Sequence, residues 1–223
     1  MKKPGTGRAF FIARELLLAE QLADGRVLEG AGQRIAEHIT DQLGVGLLVR
    51  CGAEALVMCP FNSWDDKRTP AEHHADLVKS LKSLRPILED NGLLGLVEPL
   101  GFQQCSLRRK SDAVKAIYDA GCERAYRLVH DTFHHYLSGE DIFYPDLTGL
   151  VHISGVEDKG VADADMLDGH RLLVGDADRL GNIRQLKILL DRGYQGVVSF
   201  EPFAAEVMDA IMFGMFLWMR QTR

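Results

Sequence analysis

The sequence predicts an α/β fold whose parallel sheet closes as a (β/α)8 barrel. Three observations carry this. From residue 54 onward, short apolar runs alternate with stretches of helical periodicity, the pattern of successive βα units. Glu98, Asp131, His152 and Glu201 each stand at or near the C-terminal end of such a run. In a barrel those ends converge on one mouth, where active sites lie. The glycine-rich phosphate loops of open nucleotide-binding sheets (GxGxxG, or GxxxxGK followed by Ser or Thr) are absent.

The elements follow in order. Residues 55–60, ALVMCP, form an apolar run that stops at a proline, as suits a strand buried on both faces. Thr69-Pro70-Ala71-Glu72 then reads as an N-cap, a first-turn proline and a capping-box glutamate. Leu77, Leu81, Leu84 and Leu88 continue at helical spacing, and Asn91-Gly92 ends the helix. Residues 95–99, GLVEP, give the next strand, and a helix runs from about Ser111 to Ala120 before Gly121. Strands at 126–131 and 150–154 follow. Asn182 is expected to cap a helix over 183–192, stopped by Gly193, and 197–202 form the last strand. Phe10 to Ile12 and Gly46 to Val49 are strand candidates in the first fifty residues. The apolar window 210–219 is too short to span a bilayer and reads as a buried helix.

Composition narrows the function classes. The 223 residues, 46% hydrophobic and 26% charged, are those of a folded globular chain, expected as a single domain over 1–223 with an atypical segment 1–50. The formal net charge of −6 argues against a nucleic-acid grip, which needs a basic surplus. The four cysteines make no CxxC pair, so they read as reduced thiols, two of them buried, in a cytoplasmic protein. Arg14 and Glu15 break the N-terminal apolar run, so no signal peptide is expected. No membrane partner is expected.

Three carboxylates and one imidazole at four strand ends make a hard-to-borderline site for a divalent cation, Mn2+, Mg2+, Co2+ or Zn2+. Without a cation such a cluster repels itself. The Glu98-Pro99 and Glu201-Pro202 pairs end each ladder at the glutamate, because proline cannot donate. Read alone, Glu98 or Glu201 is an ordinary strand-end charge, and His152 a core histidine; the recurrence at four strands is what favours a site. His130 faces away from Asp131 and is read as structural, His73 and His74 as surface residues of a helix, and Met212, Met215 and Met219 as packing. His135 and His170 carry no assignment.

At these residues the chain resembles the xylose isomerase-like TIM-barrel superfamily of sugar phosphate isomerases and epimerases. The matching pieces are LVEPL (96–100), LVHDTFHH (128–135), LVHISGV (150–156), HRLLVGDADRLGNI (170–183) and VVSFEPF (197–203), within residues 52 to 205. The resemblance implies that Glu98, Asp131, His152 and Glu201 ligate one divalent metal ion. It implies that Glu98 and Glu201 act as an acid/base pair and that His134 contacts a substrate oxygen. The arginine that the family often places after the metal histidine is replaced by Glu157-Asp158-Lys159, so that role is empty or passes to Lys159 or Arg171; read alone, these and Arg179 are solvated charges. A glutamate that often follows the first Glu-Pro is replaced by Gln103-Gln104.

The implied activity is isomerisation or epimerisation of a sugar or sugar-like hydroxy-ketone by proton transfer through a metal-bound enediolate. Phe200 and Phe203 are the expected source of desolvation around the base. An inosose dehydratase-type lyase on the same site, and a non-catalytic degenerate barrel acting as a scaffold, stay open. Endonuclease IV-like repair needs more histidines and a basic groove. Set against the resemblance, the short stretch before residue 55 points to a barrel incomplete, remodelled or completed by another chain at its N-terminus; a small carbohydrate is the expected partner, and the short barrel with the apolar window 210–219 suggests a homo-oligomer.

Overall fold

The computed structural model describes residues 9–12, 49 and 52–210. The chain divides into two compact units, 1–100 with 104–129, and 101–103 with 130–223.

The first unit is built on parallel strands. β1 (Ala9–Ile12) pairs with β2 (Ala53–Met58), Phe10 facing Ala55. β2 pairs with β3 (Leu94–Val97), Ala55 facing Leu94, and β3 with β4 (Tyr126–Asp131), Gly95 facing Tyr126. Ala55, Leu56, Val57, Leu96, Val97, Leu128 and Val129 are all buried, so consecutive residues bury opposite faces. That is why these strands read as unbroken apolar runs.

Helix α1 (Pro70–Asp90) begins as its sequence specifies. The Thr69 hydroxyl accepts from Glu72 N at 3.3 Å, while Glu72 Oε2 accepts from Thr69 N at 2.7 Å. Leu81, Leu84 and Leu88 form its buried stripe. Helix α2 (Lys110–Ala120) buries Ala113, Ala116, Ile117 and Ala120 and stops at Gly121, whose φ of 64° is left-handed.

β4 runs directly into a short helix α3 (Thr132–Ser138) of the second unit, an element the sequence pattern does not predict. Seven residues with two histidines and two aromatics carry little helical periodicity. β5 (Thr148–Ile153) pairs parallel with β6 (Val197–Phe200), His152 facing Ser199. Between them lies helix α4 (Asn182–Asp191). Its cap differs from the expectation. Gly181, at φ 69°, occupies the cap position, and Asn182 is the first helical residue. Asp178 supplies the capping oxygen instead, accepting from Asn182 N at 2.9 Å. The Asn182 amide is fully buried and donates to Ser154 O at 2.8 Å, tying the helix to the end of β5.

Of the early strand candidates, Phe10 to Ile12 falls in β1; of 46–49 only Val49 is described, and it is helical. The expected helix over 210–219 lies outside the described residues beyond Ala210. Among the described residues no helix is long and apolar enough to cross a membrane.

Candidate metal centre

Asp131 is both the last residue of β4 and the N-cap of α3. Its Oδ1 accepts from Phe133 N at 2.7 Å and His134 N at 3.1 Å. These bonds satisfy helix donors that otherwise lack partners and set the carboxylate's orientation. The second oxygen, Oδ2, is left for other contacts.

His152 is on β5 and 3% exposed. Glu201 stands one residue beyond β6, where its backbone N–H donates to Ile153 O at 2.9 Å and prolongs the ladder. Pro202 has no N–H to continue it. Parallel pairing therefore delivers both side chains to one end of the sheet, with His152 Nδ1 3.3 Å from Glu201 Oε2. Asp131, His152 and Glu201 each offer one ligand atom, and these atoms lie within 4.8 Å of one another.

Arg171 is woven into this cluster. It has no solvent exposure. Nη2 donates to Asp131 Oδ2 at 2.5 Å and to Glu201 Oε2 at 2.8 Å. Nε donates to Ser154 Oγ at 2.9 Å and Nη1 to Asp168 Oδ1 at 3.2 Å. The guanidinium lies over the rings of Phe133 and Phe203, 4.9 and 5.0 Å from their centroids. Its own carbonyl accepts from Phe203 N and Ala204 N, both at 2.9 Å, and the neighbouring Leu172 bridges to Gly155. The main chain of Arg171 is thus held from two sides. Burial opposes ionisation of Asp131, but Arg171, together with smaller contributions from His134, His152 and the contact with Glu201, outweighs it and holds the carboxyl well below the usual range.

The donor set fits a divalent cation. Two carboxylates and an imidazole are hard-to-borderline ligands. One guanidinium faces the three carboxylates it bonds, those of Asp131, Glu201 and Asp168. A divalent ion balances that surplus of negative charge.

The other predicted residues are placed as follows. Glu98 belongs to the first unit, just past β3; it is 2% exposed, and its backbone N–H donates to Met58 O at 3.0 Å. Cys59 Sγ donates to its Oε2 at 3.5 Å. His134 is buried, with Phe102 and Phe133 edge-on to its ring, each 5.1 Å away. Lys159 is exposed in the turn after β5.

Three expectations need correction. Arg171 and Arg179 are not solvated charges: Arg171 is fully buried, and Arg179 clasps its loop by donating to Val161 O at 2.7 Å and Asp163 Oδ1 at 2.7 Å. Phe200 does not desolvate a glutamate. It is 62% exposed, because strand alternation turns it to the face opposite Ser199 and Glu201. Phe203 packs against the Arg171 guanidinium. His73 is half-buried rather than a surface residue, 3.0 Å from Asp66 Oδ2. His130 is buried with Nε2 2.9 Å from Gln185 Oε1, in keeping with its structural reading. Among the described residues Cys105 and Cys122 are the buried thiols, and burial pushes the Cys105 thiol up to about 11.

Parallel βα units that end in carboxylate and imidazole donors define an α/β protein with a candidate cation site at its strand ends. The model of the xylose isomerase-like TIM barrel matches residues 38–220, and the chain belongs to that family. No curated protein matches it. Among solved structures it is similar to a xylose isomerase domain-containing protein of Salmonella typhimurium LT2, with 32% identity over 74% of this chain and a TM-score of 0.67. The chain spans 60% of that protein's length. It shares its fold with IolI protein carrying a bound zinc atom, at 21% identity, TM-score 0.64, 85% of this chain and 77% of that one. It also shares its fold with D-psicose 3-epimerase from Clostridium cellulolyticum H10, at 16% identity, TM-score 0.58, 87% of this chain and 74% of that one.

Proposed function

We propose that the protein is a cytoplasmic, divalent-metal-dependent isomerase or epimerase of a sugar or sugar-like hydroxy-ketone. The observation that carries this reading is the convergence of Asp131, His152 and Glu201, whose ligand atoms lie within 4.8 Å of one another. Glu98 is the fourth proposed ligand. It follows β3 as Glu201 follows β6, and both are succeeded by proline. The relatives that are named for what they do or hold point the same way: one is a ketose epimerase, another carries zinc.

When bound, the ion supplies Lewis-acid polarisation of a carbonyl. The remaining work falls to the chain. One of Glu98 and Glu201 takes the proton from the carbon next to the carbonyl. The other returns a proton, either to the neighbouring carbon, which isomerises the substrate, or to the opposite face of the same carbon, which epimerises it. His134, held by its backbone bond to Asp131, orients a substrate oxygen, and Lys159 is the exposed loop cation for a second. Arg171, lacking exposure, acts on the substrate only through Asp131 and Glu201.

The test is metal analysis joined to a proton-exchange assay. One equivalent of metal and deuterium wash-in from D2O to a ketose or inosose support the reading. Absence of exchange across a broad panel of hydroxy-ketones, with metal saturating, rejects it.

A further inference from the structure

Arg171 does more than fill space beside the carboxylates. Nε, Nη1 and Nη2 of its guanidinium all donate to protein oxygen, and two of those bonds leave the same nitrogen for Asp131 Oδ2 and Glu201 Oε2. Both are carboxylates of the cluster whose donor atoms lie within 4.8 Å. Two aromatic rings enclose the cation, and its main chain is anchored by Phe203 and Ala204. A charge so placed cannot swing away as a surface lysine does. It is a fixed positive charge at the point where two like charges meet.

We propose that Arg171 is a built-in counter-cation of the ion site. It keeps Asp131 and Glu201 together when no ion is present, and its charge limits how tightly an ion binds. The proposal rests on the reading of Asp131, His152 and Glu201 as ion ligands. Its physical basis is Coulombic. Two carboxylates brought this close, one buried and one largely so, repel unless a positive charge stands between them. The guanidinium is suited to that role because it stays charged when buried and its planar fork reaches two oxygens from one nitrogen. The same positive charge then opposes the approach of a divalent ion to the same oxygens. Removing it therefore has two opposite effects: the ion-free protein loses stability, and the ion gains affinity.

Arg171→Met keeps the length and the packing on Phe133 and Phe203 while deleting the charge. Arg171→Lys keeps the charge. Mn2+ binding to the full chain is measured by titration calorimetry, and thermal unfolding is followed in chelator and in saturating Mn2+. In Arg171→Met the midpoint in chelator falls by several degrees, Mn2+ binds about tenfold tighter or better, and the Mn2+-induced rise in midpoint is larger than in wild type. Arg171→Lys stays within about threefold of the wild-type affinity. Unchanged Mn2+ affinity in Arg171→Met, or weaker binding, overturns the proposal, since a merely structural residue only weakens the site when lost. If Arg171→Met does not fold in chelator, recovery of the folded state in Mn2+ supports the proposal and failure to recover rejects it. Wild-type protein that binds no Mn2+ rejects the functional reading itself; wild type that binds while Arg171→Met behaves identically rejects only the counter-cation.

Discussion

Gln185 Oε1 lies 2.9 Å from His130 Nε2, and the amide on the same side chain donates to Thr132 O at 3.0 Å and Leu180 O at 2.8 Å. Gln185 is 4% exposed, so one buried amide of helix α4 closes three bonds, two of them to His130 and Thr132 on either side of Asp131. Gln185→Leu fits the volume but leaves His130 and two carbonyls without these bonds. The expected cost is about 1–3 kcal/mol, read as a lower urea midpoint with an unchanged slope.

Glu98→Gln and Glu201→Gln keep the shape of the carboxyl and remove its basicity. Each is expected to lower deuterium wash-in by about 10²- to 10⁴-fold at saturating metal. Near wild-type exchange in both variants would exclude the two glutamates as the acid/base pair.

Asp66 gives the fold a dependence on acid. Its side chain is 5% exposed and meets Arg68 through both oxygens, with Nε to Oδ1 at 2.9 Å and Nη2 to Oδ2 at 2.6 Å. Those Arg68 bonds hold the Asp66 carboxyl far below its ordinary value, as Arg171, His134, His152 and Glu201 together do for Asp131 against the opposing effect of burial. A carboxyl depressed in the folded state contributes its full stabilisation above the unfolded value of ~3.9 and loses it as pH falls below that. Stability from these two groups is therefore expected to hold between about pH 8 and 5 and to decline below about pH 4. Asp66→Asn should flatten the decline in a urea-midpoint profile; an unaltered profile would exclude Asp66 as a contributor.

Gly101 sits where the chain passes α3 with no room for a side chain. A β-carbon there would stand 2.3 Å from His134 O, 2.7 Å from Leu137 Cβ and 3.0 Å from Ser138 N. Two of these are backbone atoms, which cannot rotate aside. Gly101→Ala is expected to displace α3, lower the thermal midpoint and weaken Mn2+ binding through His134 and Asp131. A variant with wild-type midpoint and affinity would show that α3 yields freely.

Thr69→Ala removes the reciprocal bonds at the start of α1. A loss of about 1 kcal/mol is expected in the urea midpoint, with little change in Mn2+ affinity.

Some of this was legible in the residues. The capping box at Thr69 and Glu72 is written within four positions, so local chemistry sufficed to locate the start of α1. The β strands buried on both faces announce themselves as unbroken apolar runs. Asp131, His152 and Glu201 were visible because a polar residue at the end of an apolar strand departs from its surroundings, and the parallel pairing of β5 with β6 brings the latter two together. Asn182 looked like a cap, but Asp178 reached the vacant N–H from four residues upstream. That choice depends on how the loop folds back, which no short-range pattern records.

What the sequence determined by itself was the order of βα units and the acidic and imidazole donors that close them, since periodicity and chain interruption are local properties. The tertiary structure alone decided that Arg171 is an interior cation and that Phe200 faces outward. Arg171 meets Asp131 across 40 positions and Glu201 across 30. A charge's solvation and its partners are set by what packs around it, and those neighbours are distant in the chain.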